Sequence, residues 1–182
     1  MFQTPTMAAF LHPDDVPGIK HLLLGGEFPT SNVIATWAEH VNLQLAYGPA
    51  ETSCWTNCRT GIAPNHRLSD TGPPMRSCGF WIVDPDDHNK PLPIGATGEL
   101  LINGGVVAPG YLDNKENTAA AFIPAPTWAR RYGVPGLKFR FYKAGDLARF
   151  DSDGSLNIVG RKDSQVKLRG KMIVDLLPRC AK

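Results

Sequence analysis

Two short apolar runs on either side of one amphipathic segment constrain this chain most. His21–Leu24 is apolar and ends at Gly25-Gly26, which is typical of a buried strand that stops at a glycine turn. From Ser31 to Val41 apolar side chains recur at three- and four-residue spacing, which predicts a helix capped by a hydroxyl residue. A second strand is expected over Asn42–Ala46. The three segments predict a βαβ unit with parallel strands, whose ligands gather at the carboxyl ends of the strands.

The chain changes character beyond Pro64. Short strand-like runs alternate there with glycine and proline turns, which predicts a β-rich subdomain after the βαβ portion of a parallel sheet. One helix is expected within it, from Asn114 to Phe122, with Asn114 as the cap. The predicted fold class is therefore α/β. The expected strands are Phe80–Asp84, Glu99–Asn103, Phe139–Lys143 and Leu156–Val159.

Charge and apolar content exclude several classes of partner. The net charge of +2 comes from 19 basic and 17 acidic residues that are interspersed, without the basic run expected of a protein that binds nucleic acid or a membrane surface. The apolar stretches are shorter than the roughly 20 residues that a membrane span needs. The first residues do not resemble a secretory signal, so a cytoplasmic location is expected.

Cysteine and histidine do not predict a metal site. The four cysteines lack CxxC pairs and nearby histidines, and no histidines are paired at helical spacing. Reduced, mostly buried thiols are expected in a reducing compartment. The cysteines are Cys54, Cys58, Cys78 and Cys180.

Five motifs follow one another in an order that does not arise by chance. They are Leu24-Gly25-Gly26-Glu27, Tyr47-Gly48-Pro49-Ala50-Glu51, Gly98-Glu99-Leu100 running on to Gly110-Tyr111-Leu112, Tyr142-Lys143-Ala144-Gly145-Asp146-Leu147, and Gly160-Arg161-Lys162-Asp163 running on to Gly170. In this order the chain resembles the adenylate-forming, AMP-binding ligase family, and within it the adenylation domains of nonribosomal peptide synthetases. The resemblance implies an internal piece of the domain core, in which a distorted barrel follows the parallel sheet.

The resemblance implies a nucleotide site. Tyr47 would stack on adenine, although an isolated tyrosine is more often a core residue. Asp146, expected at a tight turn, would accept hydrogen bonds from the ribose hydroxyls, and Arg161 would donate to ribose or phosphate. Glu51 would hold Mg²⁺. The implied nucleotide-binding residues are Gly26, Tyr47, Gly48, Ala50, Asp146, Ile158 and Arg161, with Lys162 and Lys167 adding positive charge unless they form a solvated basic surface.

The resemblance also implies a substrate pocket, a hinge and partners. The pocket would take an amino acid or a related carboxylic acid, with ordinary core packing as the alternative for its residues. Residues 1–162 would belong to the N-terminal core, and 163–182 would contain the hinge Asp163 and the start of the C-terminal subdomain. ATP and Mg²⁺ are the implied cofactors, and a carrier protein bearing phosphopantetheine is the implied partner. The pocket residues are Leu23, Gly25, Ala46, Cys54 and Trp55.

The chain departs from the family pattern in three ways. Ala50 replaces the usual threonine and has no donor for phosphate. The glycine-, serine- and threonine-rich phosphate loop does not occur in the sequence, and the pattern stops after Ile173, before the C-terminal catalytic lysine. Little or no adenylation is therefore expected from this chain alone. A noncatalytic nucleotide-binding protein, an acyl-CoA ligase-like member and a product without function are the alternatives.

Overall fold

The computed structural model describes residues 1–133 and 140–163, together with the backbone of residues 165–168 and 171–174. The predictions for Phe139, Cys180 and the side chain of Lys167 lie outside the described residues. Within the described part of the chain, no helix is long and apolar enough to cross a membrane.

The first half of the chain forms a four-stranded sheet with the order β1-β2-β3-β4. Strands β2 and β3 are parallel, with Leu22 opposite Leu43, and β4 returns antiparallel to β3. The predicted βαβ unit is thereby confirmed. Its elements are β1 (Phe2–Gln3), α1 (Pro5–Ala8), β2 (His21–Gly25), α2 (Ser31–Ala38), β3 (Asn42–Tyr47) and β4 (Asn57–Thr60).

Helix α2 packs its apolar stripe on this sheet. Val33, Ile34 and Trp37 are buried in one cluster with the leucines of β2 and β3. The Thr30 hydroxyl caps the helix by accepting a hydrogen bond from the Val33 amide at 3.3 Å. The helix ends at Ala38, three residues before the predicted end at Val41. Val41 still packs against the cluster from the turn into β3, which explains why its apolar spacing continued the helical pattern.

Six of the remaining strands form an antiparallel sheet with the order β5-β10-β9-β7-β6, in which β8 pairs with β9. The predicted β-rich subdomain is confirmed. A further antiparallel pair, β11 and β12, follows it. The elements are β5 (Asp70–Gly72), β6 (Cys78–Val83), β7 (Gly98–Gly104), α3 (Lys115–Ala121), β8 (Phe122–Ile123), α4 (Thr127–Arg131), β9 (Phe141–Phe150), β10 (Leu156–Arg161), β11 (Gln165–Leu168) and β12 (Lys171–Val174).

One prediction in this half of the chain is corrected, and one helix was missed. Asp146 does not lie at a tight turn: it sits inside β9, where Gly145 has a φ of 67° and the strand continues on both sides. The motif looked like a turn because glycine and aspartate favour turns, but here glycine supplies a local irregularity within a strand. The helix α3 is confirmed with Asn114 as its cap, whereas α4 was not predicted.

Candidate functional site

A cavity of about 440 Å³ lies where the carboxyl ends of β2 and β3 face β9 and β10. Its volume falls in the range of small-molecule sites. The groups from the first sheet and those from the second lie far apart in the sequence, and the two sheets bring them together. The predicted residues that line it are Gly26, Ala46, Tyr47, Gly48, Asp146, Ile158, Arg161 and Asp163.

A second cavity of about 800 Å³ adjoins the first and shares Asp146, Arg161 and Asp163 with it. Leu23 lies on β2, is half-buried and is not among the lining residues of either cavity. The other predicted residues that line the second cavity are Gly25, Gly26, Gly48, Ala50, Glu51, Cys54 and Trp55.

Tyr47, Asp146 and Arg161 form one polar cluster. The Tyr47 hydroxyl donates to Asp146 Oδ2, and Arg161 Nη1 donates to Asp146 Oδ1 at 3.0 Å and to the Ala144 carbonyl at 2.8 Å. Burial and then the negative charge of Asp146 raise the pKa of Tyr47 well above its ordinary value, so the phenol is neutral and donates. The carboxylate is therefore held in one orientation from both sides.

Arg161 also holds Asp163. Its Nε donates to Asp163 Oδ1 at 3.0 Å and its Nη2 donates to Asp163 Oδ2 at 2.8 Å, which is a two-pronged ion pair. Burial lowers the pKa of Arg161, but hydrogen bonds and charges of the two aspartates outweigh burial and raise it overall. A Cβ at position 145 would lie 2.9 Å from Arg161 Nη2, so glycine leaves the space that the guanidinium occupies.

Glu51 lies in a single 3₁₀ turn that follows β3. The Tyr111 hydroxyl donates to Glu51 Oε1 at 2.7 Å. Burial and then the hydrogen bond to Glu51 raise the pKa of Tyr111 to about 12. Burial and the charge of Glu51 also raise the pKa of Tyr142, which lines the second cavity. The motif that contains Tyr111 pointed to the family, but no role of Tyr111 or Tyr142 beside Glu51 was predicted.

Trp55 closes one side of the second cavity against Gly25. A Cβ at position 25 would lie 2.5 Å from the Trp55 ring, so the indole fills the space that a side chain at position 25 would need. Phe2 contacts the same indole edge-on, with ring centroids 5.1 Å apart. The contact between Phe2 and Trp55 was not predicted, because a single aromatic residue at the start of a sequence does not indicate a pocket.

Cys54 is exposed and has a φ of 73°, and Cys58 and Cys78 are only partly buried. The expectation of mostly buried thiols is therefore wrong for the described cysteines.

Lys162 is exposed, as the alternative of a solvated surface expected, but its ammonium group also contacts a buried carboxylate. Its Nζ donates to Glu99 Oε2 at 3.2 Å and to the Pro85 carbonyl. Glu99 is buried, and Lys143 Nζ lies 4.0 Å from the same oxygen. The positive charge of Lys162 is thus used to compensate a buried carboxylate beside the cavity.

Glu51 suits a metal ion that is shared with a bound ligand. Among the described residues, no group of three or more histidine, cysteine, aspartate or glutamate side chains could hold a metal ion. Mg²⁺ is commonly bound by one or two carboxylates together with phosphate oxygens and water. Glu51 fits that mode of binding, because it is one carboxylate at a cavity that Asp146 also lines. A closed site would need more protein ligands around the ion.

Comparison with known proteins agrees with the geometry. The AMP-binding enzyme family matches residues 1–112. The nonribosomal peptide synthase roqA of Penicillium rubens is 45% identical over 171 residues, which cover 93% of this chain and 7% of roqA. The nonribosomal peptide synthetase resC of Aspergillus sclerotiorum is 43% identical over 171 residues, covering 93% of this chain and 13% of resC.

A solved structure shares the fold. PA1221, an NRPS protein containing adenylation and PCP domains, matches with a TM-score of 0.80 at 26% identity, over 95% of this chain and 35% of PA1221. The chain therefore spans about a third of this structure and a much smaller share of the curated relatives.

Proposed function

Because this chain belongs to the AMP-binding enzyme family and is part of a nonribosomal peptide synthetase adenylation domain, we propose that its cavity binds the nucleotide of an ATP-dependent amino-acid activation. In the complete reaction the substrate carboxylate attacks the α-phosphorus of ATP, the bond to the β-phosphate oxygen breaks, and aminoacyl-AMP and pyrophosphate form. The acyl group then passes to the phosphopantetheine thiol of a carrier protein with release of AMP. The arrangement of Tyr47, Asp146 and Arg161 at one cavity carries this proposal.

Asp146 recognises the ribose. A carboxylate oxygen has two lone pairs, so Oδ1 and Oδ2 can each accept a ribose hydroxyl in addition to the donors that they already have. Tyr47 and Arg161 fix the carboxylate before the nucleotide arrives, which lowers the cost of ordering it. The Tyr47 ring offers the adenine a flat apolar face, and Ile158 lines the same cavity.

Glu51 is the residue proposed to hold Mg²⁺ together with nucleotide phosphates. The metal ion would neutralise negative charge on those phosphates when bound. Ala50, next to Glu51, offers no side-chain donor, so phosphate contacts at this turn depend on the backbone and on the cation.

The substrate is proposed to be an amino acid or a related carboxylic acid bound in the second cavity. Gly25, Cys54 and Trp55 line this cavity with small or apolar side chains, and Gly25 and Trp55 are in tight contact. Ala46 lines the adjoining first cavity. Leu23 was assigned to the same pocket by resemblance and remains a proposal, although it lines neither cavity.

We further propose that residues 1–162 belong to the N-terminal core, with Asp163 as the hinge to the C-terminal subdomain. The 182 residues alone then bind nucleotide without completing the adenylation. The proposed contacts at the cavity are mostly to the nucleoside, whereas the proposed phosphate contacts are few. AMP and ATP are therefore expected to bind with similar affinity.

The proposal is tested by titrating AMP and ATP into the purified chain by isothermal calorimetry. Asp146→Asn is expected to weaken AMP binding by about tenfold or more, because hydrogen bonds to a charged group are lost. Asp86→Asn, which alters an exposed aspartate that lines neither cavity, serves as the matched control. No binding by the unmodified chain, or equal binding by Asp146→Asn, would refute the proposed site.

A further inference from the structure

Tyr111 and Glu51 are in contact at the rim of the second cavity, although sixty positions of sequence separate them. The 2.7 Å distance from Tyr111 Oη to Glu51 Oε1 is that of a short hydrogen bond from a phenol to a carboxylate. It commits one oxygen of the carboxylate to a protein donor. The orientation of Glu51 is therefore set by a residue from another part of the chain.

Tyr111 is itself held rigidly. Its backbone amide donates to Thr118 Oγ1 at 2.9 Å, and its ring packs edge-on against Phe122 with centroids 5.3 Å apart. Gly110 brings the backbone close to α3, since a Cβ at this position would lie 2.4 Å from the Thr118 methyl group. The hydroxyl of Tyr111 is thus presented from a fixed support.

The backbone around Glu51 is held by the same loop. The Ala108 amide donates to the Glu51 carbonyl at 2.8 Å, and Ser53 Oγ donates to the Val106 carbonyl at 3.0 Å. Main-chain and side-chain contacts from the segment between β7 and α3 therefore act together on the short turn that presents Glu51. Such support is typical of a carboxylate that must keep one orientation toward a ligand.

We propose that Tyr111 is a positioning residue for Glu51, which it orients toward a divalent cation that is shared with the phosphates of the bound nucleotide. This inference depends on the proposed function, because the cation is brought to Glu51 in part by the nucleotide. Loss of a hydrogen-bonding partner behind a metal ligand typically lowers metal affinity about 10- to 100-fold. Tyr111 does not need to touch the nucleotide for this effect.

The test measures Mn²⁺ binding to the full 182-residue chain saturated with ATP, from the electron paramagnetic resonance signal of free Mn²⁺. The Mn²⁺ that the same concentration of ATP binds without protein is subtracted. Tyr111→Phe keeps the ring packing and removes only the hydroxyl. It is expected to weaken Mn²⁺ binding at least about tenfold, while the affinity for AMP without metal stays unchanged. Tyr132→Phe, which alters an exposed tyrosine away from both cavities, is expected to match the unmodified chain.

Glu51→Gln completes the design, because it removes the charge of the ligand itself and should weaken Mn²⁺ binding at least as much as Tyr111→Phe. Unchanged Mn²⁺ affinity in Tyr111→Phe, with ATP still bound, would overturn the inference alone. Unchanged affinity in Glu51→Gln would overturn it as well, since Glu51 would not be a ligand. Failure of the unmodified chain to bind nucleotide would overturn both the proposed function and the inference.

Discussion

The hydroxyl of Tyr47 donates a hydrogen bond to the carboxylate of Asp146, although 99 positions of sequence separate the two residues. Tyr47 ends β3 in the first sheet, and Asp146 lies within β9 in the second. Arg161 of β10 holds the other oxygen of the same carboxylate. This contact therefore joins the two sheets at the wall of the proposed nucleotide cavity.

Tyr47→Phe removes this hydrogen bond and keeps the aromatic ring. We expect the free energy of unfolding to fall by about 1 to 2 kcal/mol, because Asp146 loses a donor in a buried setting. Urea denaturation followed by circular dichroism measures this change. An unchanged midpoint and slope would show that the hydroxyl contributes nothing to stability.

The raised pKa of Tyr47 predicts a loss of stability in alkali. Burial, and after it the charge of Asp146, raise the pKa of Tyr47 in the folded chain, whereas tyrosine in the unfolded chain ionises at about pH 10. The contribution of Tyr47 to the free energy of unfolding is therefore fully present below about pH 10. It is lost as the pH rises through the higher pKa of the folded state. Unfolding free energies measured at increasing pH should fall above about pH 10. The fall should be less steep in Tyr47→Phe, and an identical pH profile would contradict the assignment.

Lys162→Met should lower the free energy of unfolding by about 1 to 3 kcal/mol. It removes the ammonium group that lies nearer to the buried Glu99 carboxylate, at 3.2 Å against 4.0 Å for Lys143. The loss is smaller than for a fully enclosed pair, since the Lys162 side chain is 34% exposed. Lys90→Met is the control, because Lys90 pairs with Asp87 at 3.9 Å on the surface and should cost little. Chemical denaturation of both variants makes the comparison, and equal losses would argue against the buried ion pair.

Gly25→Ala should cost about 1 to 3 kcal/mol of stability, because the new methyl group would overlap the Trp55 ring. In the Trp55→Ala background Gly25→Ala should cost less, since the clash with the indole is absent and only the 3.0 Å approach to the Ala46 carbonyl remains. Gly18→Ala, at a glycine with open space around it, is the control. Thermal unfolding of the single and double variants measures the coupling. Equal costs of Gly25→Ala in both backgrounds would show that the two residues do not compete for space.

Local patterns predicted the elements well. The spacing of Val33, Ile34 and Trp37 predicted α2, and short apolar runs predicted β2, β3 and four strands of the second sheet, β6, β7, β9 and β10. Strands β5 and β8 of that sheet were not predicted. Boundaries were less accurate, because β9 extends seven residues beyond the predicted end at Lys143 and contains the motif that looked like a turn. Periodicity reports which side of a segment is buried, and not where its hydrogen-bonding partners stop.

By itself the sequence determined the βαβ unit, the β-rich half and the membership in a family of AMP-binding enzymes, since these depend on local periodicity and on the order of motifs. Only the tertiary structure decided that Tyr47 and Arg161 hold Asp146, that Tyr111 holds Glu51 and that Phe2 lies against Trp55. Each of these pairs joins residues from separate segments. Their contact depends on how two sheets pack and on the register of their strands, which are properties of the whole fold and not of any local stretch of residues.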